Sequence, residues 1–227
     1  MVWDVTADLG RFDEAIAWFL GRTAIPEERQ VSLRNGARRR AFWIAGVAQL
    51  DIVQGVLNEL TDAAAKGEPY EEFKKRVRSN LASAWGRDDP HRIETIFRNA
   101  IQTSYGRGRY VQMTEPAVKA LRPFWMYDAI LDTRTSAICQ QRDRVVRPVD
   151  DTWWKHNYPP LHHRCRSTVR ALRTEQALKR GITEQLPSSR AQAGFGSAPI
   201  DDELAEWRPE ATDYDPVLWA EFHKKTG

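Results

Sequence analysis

Cys139, His162 and Cys165 are the residues of this 227-residue chain whose types and spacing best suit chemistry. The segment "YPPLHHRCRSTVRAL", residues 158 to 172, places His162 three positions before Cys165, and Cys139 lies twenty-three positions before His162. A helix-borne cysteine and a turn-borne His-x-x-Cys can converge on Zn²⁺, which takes thiolate and imidazole ligands, with Asp132 or His163 as candidate fourth ligand. Without a metal the same residues read as two small buried thiols packed in a sheet. A second chemistry would use His162 or His163 as general base, Asp132 as its partner, and Arg134 or Arg166 against a phosphoryl oxygen, which is a nuclease-like set. A cysteine hydrolase built on Cys139 and His162 lacks an accompanying oxyanion-hole signature.

The arginines offer a use that needs no turnover. Arg166 and Arg170 alternate onto one strand face, with Arg142, Arg144 and Arg147 nearby in sequence, so a sheet edge can contact double-stranded DNA phosphates without reading bases. The alternative is that Arg134 and Arg166 pair with Asp128, Asp132 or Asp143 inside the fold.

The elements that must position these residues are mostly helices at first and short strands later. Phe12, Ile16 and Phe19 fall on one helical face, and Gly21 and Pro26 bracket a break. The stretch from about Glu27 to Ala65 then reads as a long, largely buried helix, weakened at Gly36, Gly46 and Gly55, or as two helices in line. Gly67 stops it, and Pro69 opens a helix whose stripe is Tyr70, Phe73, Val77, Leu81 and Trp85. Asp89 caps and Pro90 begins another, with Ile93, Phe97, Ile101 and Tyr105 at spacing four, running into Gly106-Arg107-Gly108-Arg109. After Pro123 the period changes. "FWMYDAIL" reads as a strand, Asp132 or Thr133 as cap of a short helix through "RTSAICQQRD", "RVVRP" as a second strand, "DDTWWKHNYPP" as a turn, and "CRSTVRAL" as a third strand. The fold class expected is α+β, predominantly helical: N-terminal helices, a small sheet with flanking helices, and an extended C-terminal tail.

Composition bounds the setting. With 41% hydrophobic residues and nine tryptophans the chain is long enough to bury a core, and no run approaches the roughly 18 apolar residues of a membrane span. The N-terminus lacks the pattern of a secretory leader, and two cysteines make no disulfide framework, so a reducing compartment is expected. The net charge of +3 is uneven: residues 92 to 173 hold 15 Lys/Arg against 7 Asp/Glu, while residues 201 to 227 hold 8 Asp/Glu against 3 Lys/Arg. A basic middle with an acidic tail suits a protein between a polyanion and a basic partner surface, and it also describes ordinary solvated faces. The divisions expected are an N-terminal helical region at 1–88, a core with the sheet at 89–173, a linker at 174–200 rich in Pro, Gly, Ser and Ala, and an acidic aromatic tail at 201–227. In that tail Trp207, Tyr214, Trp219 and Phe222 are candidate partner-binding residues, or else pack back onto the chain's own helices.

Taken in order, "IFRNAIQTSYGRGRY", "WMYDAILDTRTSAIC", "RPVDDTWW" and "PPLHHRCRS" resemble the Mu F-like head morphogenesis family, the minor capsid proteins of tailed phages. The likeness covers about residues 90 to 172, with a looser one upstream. Its characteristic positions fall on Tyr127, Asp128, Asp132, Arg134, Thr135, Cys139, Pro159, Pro160, His162, Cys165 and Arg166. Ser167 departs from the pattern, since many members of that family carry a further cysteine there, and this counts against a metal site. The resemblance implies an assembly protein and no known enzyme. It implies portal protein or major capsid protein as partner, packaged DNA as a second partner, and a place in the virion, at the capsid interior or portal vertex, after assembly in the host cytoplasm. About fifty-five residues follow the matched region, near the lower limit of domain size, so the additional C-terminal toxin or enzymatic domain that some members carry is not expected.

Overall fold

The computed structural model describes residues 13–29 and 41–198. The chain divides into two compact units, whose described parts are residues 13–97 without 30–40, and residues 98–198. The candidate partner-binding residues Trp207, Tyr214, Trp219 and Phe222 lie outside the described residues.

The first unit is helical. It contains α1 (Asp13–Leu20), α2 (Leu50–Lys66), α3 (Tyr70–Trp85) and the first turns of α4 (Pro90–Thr114). The stripe read from the sequence is the buried face of α3: Phe73, Val77 and Leu81 are all buried, and the Phe73 ring meets Phe97 of α4 at 5.0 Å between centroids. Gly67 ends α2 in the left-handed conformation at φ 64°, which a residue with a Cβ adopts only at a cost.

The long helix expected from Glu27 to Ala65 is not formed. Among the described residues a 3₁₀ turn at Glu27–Arg29 and a two-residue strand β2 (Ala41–Phe42), parallel to β1 (Thr23–Ala24), precede α2. The helical pattern fails at Gly46, which sits at φ 68° with its N–H donating to the Glu27 carboxylate at 2.6 Å. Beside it the Ala45 carbonyl accepts from the Trp85 indole at 3.1 Å. Ile44 and Val47, which a helix would have carried on its faces, are buried from an irregular bend instead.

The second unit is built around a three-stranded antiparallel sheet in the order β4 (Val146–Pro148), β3 (Phe124–Asp128), β5 (Thr168–Leu172). In register, Trp125 faces Arg147 on one side and Ala171 on the other. Alternation along β3 sends Trp125 and Tyr127 into a core with Val169, Trp154, Tyr158 and Met113, while Met126 joins Val146, Leu172 and Ala177 on the opposite face. Trp125 makes edge contacts with Tyr110 and Trp154. The remaining helices are α5 (Pro116–Leu121), α6 (Ala137–Gln140), α7 (Trp154–Asn157) and α8 (Thr174–Arg180). The α+β, mainly helical class is as expected.

Two local expectations change here. The spacing-four stripe of α4 does not continue, because 3.6 residues per turn carries the buried line from Ile93 and Phe97 to Ala100, Ser104 and Gly108, leaving Ile101 and Tyr105 half-buried. Gly106 lets that helix approach the Pro159 loop closely: a Cβ there would stand 3.3 Å from the Pro159 carbonyl, a tight contact, and the Gly106 carbonyl accepts from the Tyr158 hydroxyl. Residues 174–198 are not a free linker: they carry α8, Thr183 hydrogen-bonds β4 at Val146, Ser189 meets Arg142, and Ala198 is buried in the main core. Pro, Gly and Ser are as frequent in tightly packed loops as in spacers, and Gly196, at φ 84° against Ala191 and the His156 carbonyl, shows the former use.

Candidate metal centre

Cys139 is delivered by α6, a four-residue helix between β3 and β4. Its cap is Ser136, whose hydroxyl accepts from the Cys139 N–H at 3.3 Å, and not Asp132 or Thr133 as the sequence suggested. Asp132 instead organises the preceding turn, accepting from the Arg134 N–H at 2.8 Å while its own N–H donates to Thr135. The one-turn helix therefore starts later and presents Cys139 inward, toward β3.

His162 and Cys165 come from the turn between the Pro159-Pro160 pair and β5. The Cys165 N–H donates to the His162 carbonyl at 3.2 Å, and Arg164 takes φ 58° to close the loop. Asn99 of α4 clamps this loop twice: its carbonyl oxygen accepts from the Arg164 N–H at 2.7 Å and its amide meets His163 Nδ1 at 2.7 Å. His163 is thus turned to Asn99 and to the edge of Phe195, away from the cysteines.

The three candidate ligands do converge. Their ligand atoms lie within 4.8 Å of one another, with Cys139 Sγ 3.7 Å from Cys165 Sγ and 3.1 Å from His162 Nε2. Two thiolates bound tetrahedrally at about 2.3 Å from one zinc ion stand about 3.8 Å apart, so the sulfur separation fits that ion. The histidine is oriented for the same purpose. Its Nδ1 lies 2.8 Å from the His163 carbonyl, a group that only accepts, so Nδ1 carries the proton and Nε2 presents its lone pair to the Ser136 hydroxyl at 2.8 Å and to Cys139 Sγ at 3.1 Å. Both cysteines are buried and unbridged.

The electrostatics of the pair are asymmetric. The hydrogen bond between the two sulfurs pulls Cys165 down to about 6, helped by backbone hydrogen bonds at Leu161 and Ser167, and the same bond together with burial pushes Cys139 up to about 12. Near neutral pH the two sulfurs share one proton between them. The Tyr127 hydroxyl, 3.3 Å from Cys139 Sγ, is raised by burial and remains protonated.

Asp132 is not a fourth ligand. Its two carboxylate oxygens accept from the Arg166 guanidinium at 2.6 and 2.7 Å, and that bidentate pair holds the carboxyl well below the usual carboxylate range. Among the described residues no further Cys, His, Asp or Glu joins the group. Asp132 is therefore expected to stay ionised in acid where ordinary aspartates, near pH 4, have already titrated. Whatever stability the pair contributes is present above that pH and fades only as the lower, folded value is crossed. Carboxyl-carbon NMR through an acid titration checks this, with Arg166→Met returning Asp132 to the ordinary range.

The arginines expected to face DNA separate into distinct environments. Arg142 is fully buried, with its guanidinium donating to Asn157 Oδ1, the Ile138 carbonyl and Ser189, so it contacts no phosphate. Arg147 pairs with Asp151 and donates to the Thr183 carbonyl. The strand expected from Cys165 starts only at Thr168, so Arg170 lies on β5 and Arg166 precedes it, and they pair with Asp128 and Asp132 respectively. Arg144 is 83% exposed, with a 3.5 Å contact to Asp143. Sequence reasoning passed over Ser136 and Asn99. A serine three positions before a cysteine is a capping signal that could have shown the first, whereas Asn99, more than sixty residues from the loop it clamps, left no signal.

Comparison with known proteins agrees with the resemblance. Residues 54–170 match the family model described as "Phage Mu protein F like protein". The "Putative capsid assembly protein F" of Escherichia phage Mu is 29% identical over 220 residues, spanning 89% of this chain and 50% of that protein. The "Mu-like prophage FluMu F protein" of Haemophilus influenzae is 28% identical over 161 residues, spanning 65% of this chain and 38% of that protein. The chain thus spans about half the length, or less, of these curated relatives, and no solved structure matches it. The match runs from α2 through most of β5 and takes in all three converging ligands, so the chain belongs to the phage Mu protein F-like family.

Proposed function

We propose that this chain is a capsid assembly protein of a tailed phage that works by binding. Its first partner is portal or major capsid protein, its second is packaged double-stranded DNA, and its place in the virion is the capsid interior or portal vertex. The observation that carries the reading is the match along residues 54–170, joined to the 29% identity with a phage Mu protein named for capsid assembly. DNA contact is nonspecific and rests on the exposed arginines, Arg144 first and Arg170 second, so it weakens with salt. Co-purification with portal protein, with and without residues 201–227, tests the partner. Retention by the full chain and loss on truncation is the expected result, and equal retention removes the tail from docking.

Within this role Cys139, His162 and Cys165 bind one structural zinc ion. What supports the ion is the fit of the 3.7 Å sulfur separation and the fixed histidine tautomer. When bound, it joins α6 to the loop before β5. The nuclease alternative receives no comparable support. His162 is committed through both ring nitrogens, His163 to Asn99, and Asp132 to Arg166, so base and partner are not brought together. Linear and circular DNA incubated with the protein and divalent ions are expected to stay intact.

A further inference from the structure

A tetrahedral ion bound by Cys139, His162 and Cys165 takes three strong ligands from the described residues and has one position left over. Ser167 stands beside that position. It is buried, and it lines the same cleft as Cys139 and His162. A neutral hydroxyl is a poor zinc donor compared with a thiolate, so it does not close the site against an anion. The site is not sealed from solvent. A small cleft that reaches Cys139, His162 and Ser167 is rimmed by Arg134, Arg164 and Arg166. Arg134 is 77% exposed, with one loose 3.8 Å contact to Asp132, and its guanidinium can turn toward an entering ligand. Of the three, Arg166 is held in bidentate geometry by Asp132. An open metal position behind an arginine rim selects an oxyanion with several acceptor oxygens.

We propose that the fourth position of the Cys139–His162–Cys165 site is exchangeable and takes a phosphate oxygen, with Arg134 at the cleft mouth holding the same phosphate group. The inference rests on the zinc reading above and adds a ligand to it. The phosphate can be free or can belong to DNA, as a strand end or as backbone, since the recognising chemistry is shared.

Cobalt(II) in place of zinc makes the test readable, because its visible bands report coordination and its near-ultraviolet bands report thiolate ligands. The full chain loaded with cobalt is titrated with inorganic phosphate, with a duplex oligonucleotide carrying a 5′-phosphate, and with the same duplex ending in hydroxyl groups. The expected result is a saturable change in the visible bands with phosphate. Arg134→Ala should weaken the phosphate response by about five- to tenfold, the scale of one exposed charge-assisted contact. Ser167→Cys should supply a fourth strong ligand, add thiolate intensity, and abolish the response while retaining the metal. The duplex arms identify the source: a response to both duplexes means backbone phosphate, to the phosphorylated one alone a strand end, and to neither a small free anion. Cobalt spectra of the wild type that ignore phosphate, or that already match Ser167→Cys, overturn this inference and leave the zinc reading standing. Failure of the wild type to bind cobalt at all overturns both.

Discussion

Protein purified without added zinc is expected to contain about one zinc ion per chain, and Cys165→Ser to contain none. The sulfur separation, the histidine tautomer and the burial of both thiols all point to a site formed before the ion arrives. Because Cys165 is pulled down to about 6 and Cys139 is pushed up to about 12, metal binding near pH 8 is expected to release about one proton, the one the two sulfurs share. Below pH 6, Cys165 must also lose a proton, so affinity falls more steeply with acid. Calorimetry in two buffers of different ionisation enthalpy measures this count directly. Chelation of the wild type should lower the melting temperature of residues 98–198, since the loop before β5 loses its bond to α6. The loss should be smaller than the roughly 10 kcal/mol or more seen where a metal supplies the whole core, because Trp125, Trp154 and Tyr158 still pack. Cys165→Ser adds the separate cost of altering a buried sulfur, about 1–3 kcal/mol for a group left without partners, so the chelated wild type is the cleaner measure. Wild-type protein free of metal would reject the site.

The parts of this site that could be read from the sequence are those set by local rules. Cys139, His162 and Cys165 announce themselves by residue type and spacing, and the strands that bring them together follow from alternation and from the prolines that bound them. The α3 stripe was legible for the same reason, because one face of one helix is a periodic object. Failure came where position depends on partners distant in sequence. Asp132 has the chemistry of a ligand or a cap, yet Arg166, thirty-four residues on, holds both its oxygens. The bend at residues 43–49 satisfies helical periodicity, yet the backbone there is held by Glu27 and Trp85, which no window spanning the bend contains. Residues 174–198 have spacer composition, and only the buried Arg142 and the edge of β4 explain why they pack.

Arg142→Met is expected to destabilise the second unit by about 2–4 kcal/mol while leaving any DNA affinity of the folded protein unchanged. Arg142 is fully buried with neutral partners only: Asn157 Oδ1 accepts from Nε and Nη2, and the Ile138 carbonyl and Ser189 accept from the rest. Burial pulls its pKa down, which measures how strongly the site resists the charge. The guanidinium ties together α6, α7 and the segment that follows α8, so methionine restores much of the volume but strands at least three acceptors. Those acceptors, not the lost charge, set the expected cost. Arg144→Ala is the contrasting substitution. It removes an exposed side chain at φ 63°, so its stability change should stay within about 0.5 kcal/mol. It should also weaken DNA retention and lower the salt slope by about one. Thermal melts and DNA titrations at two salt concentrations on both variants separate the two roles. A stable Arg142→Met protein with weakened DNA binding would mean that the buried arginine reaches the surface in solution.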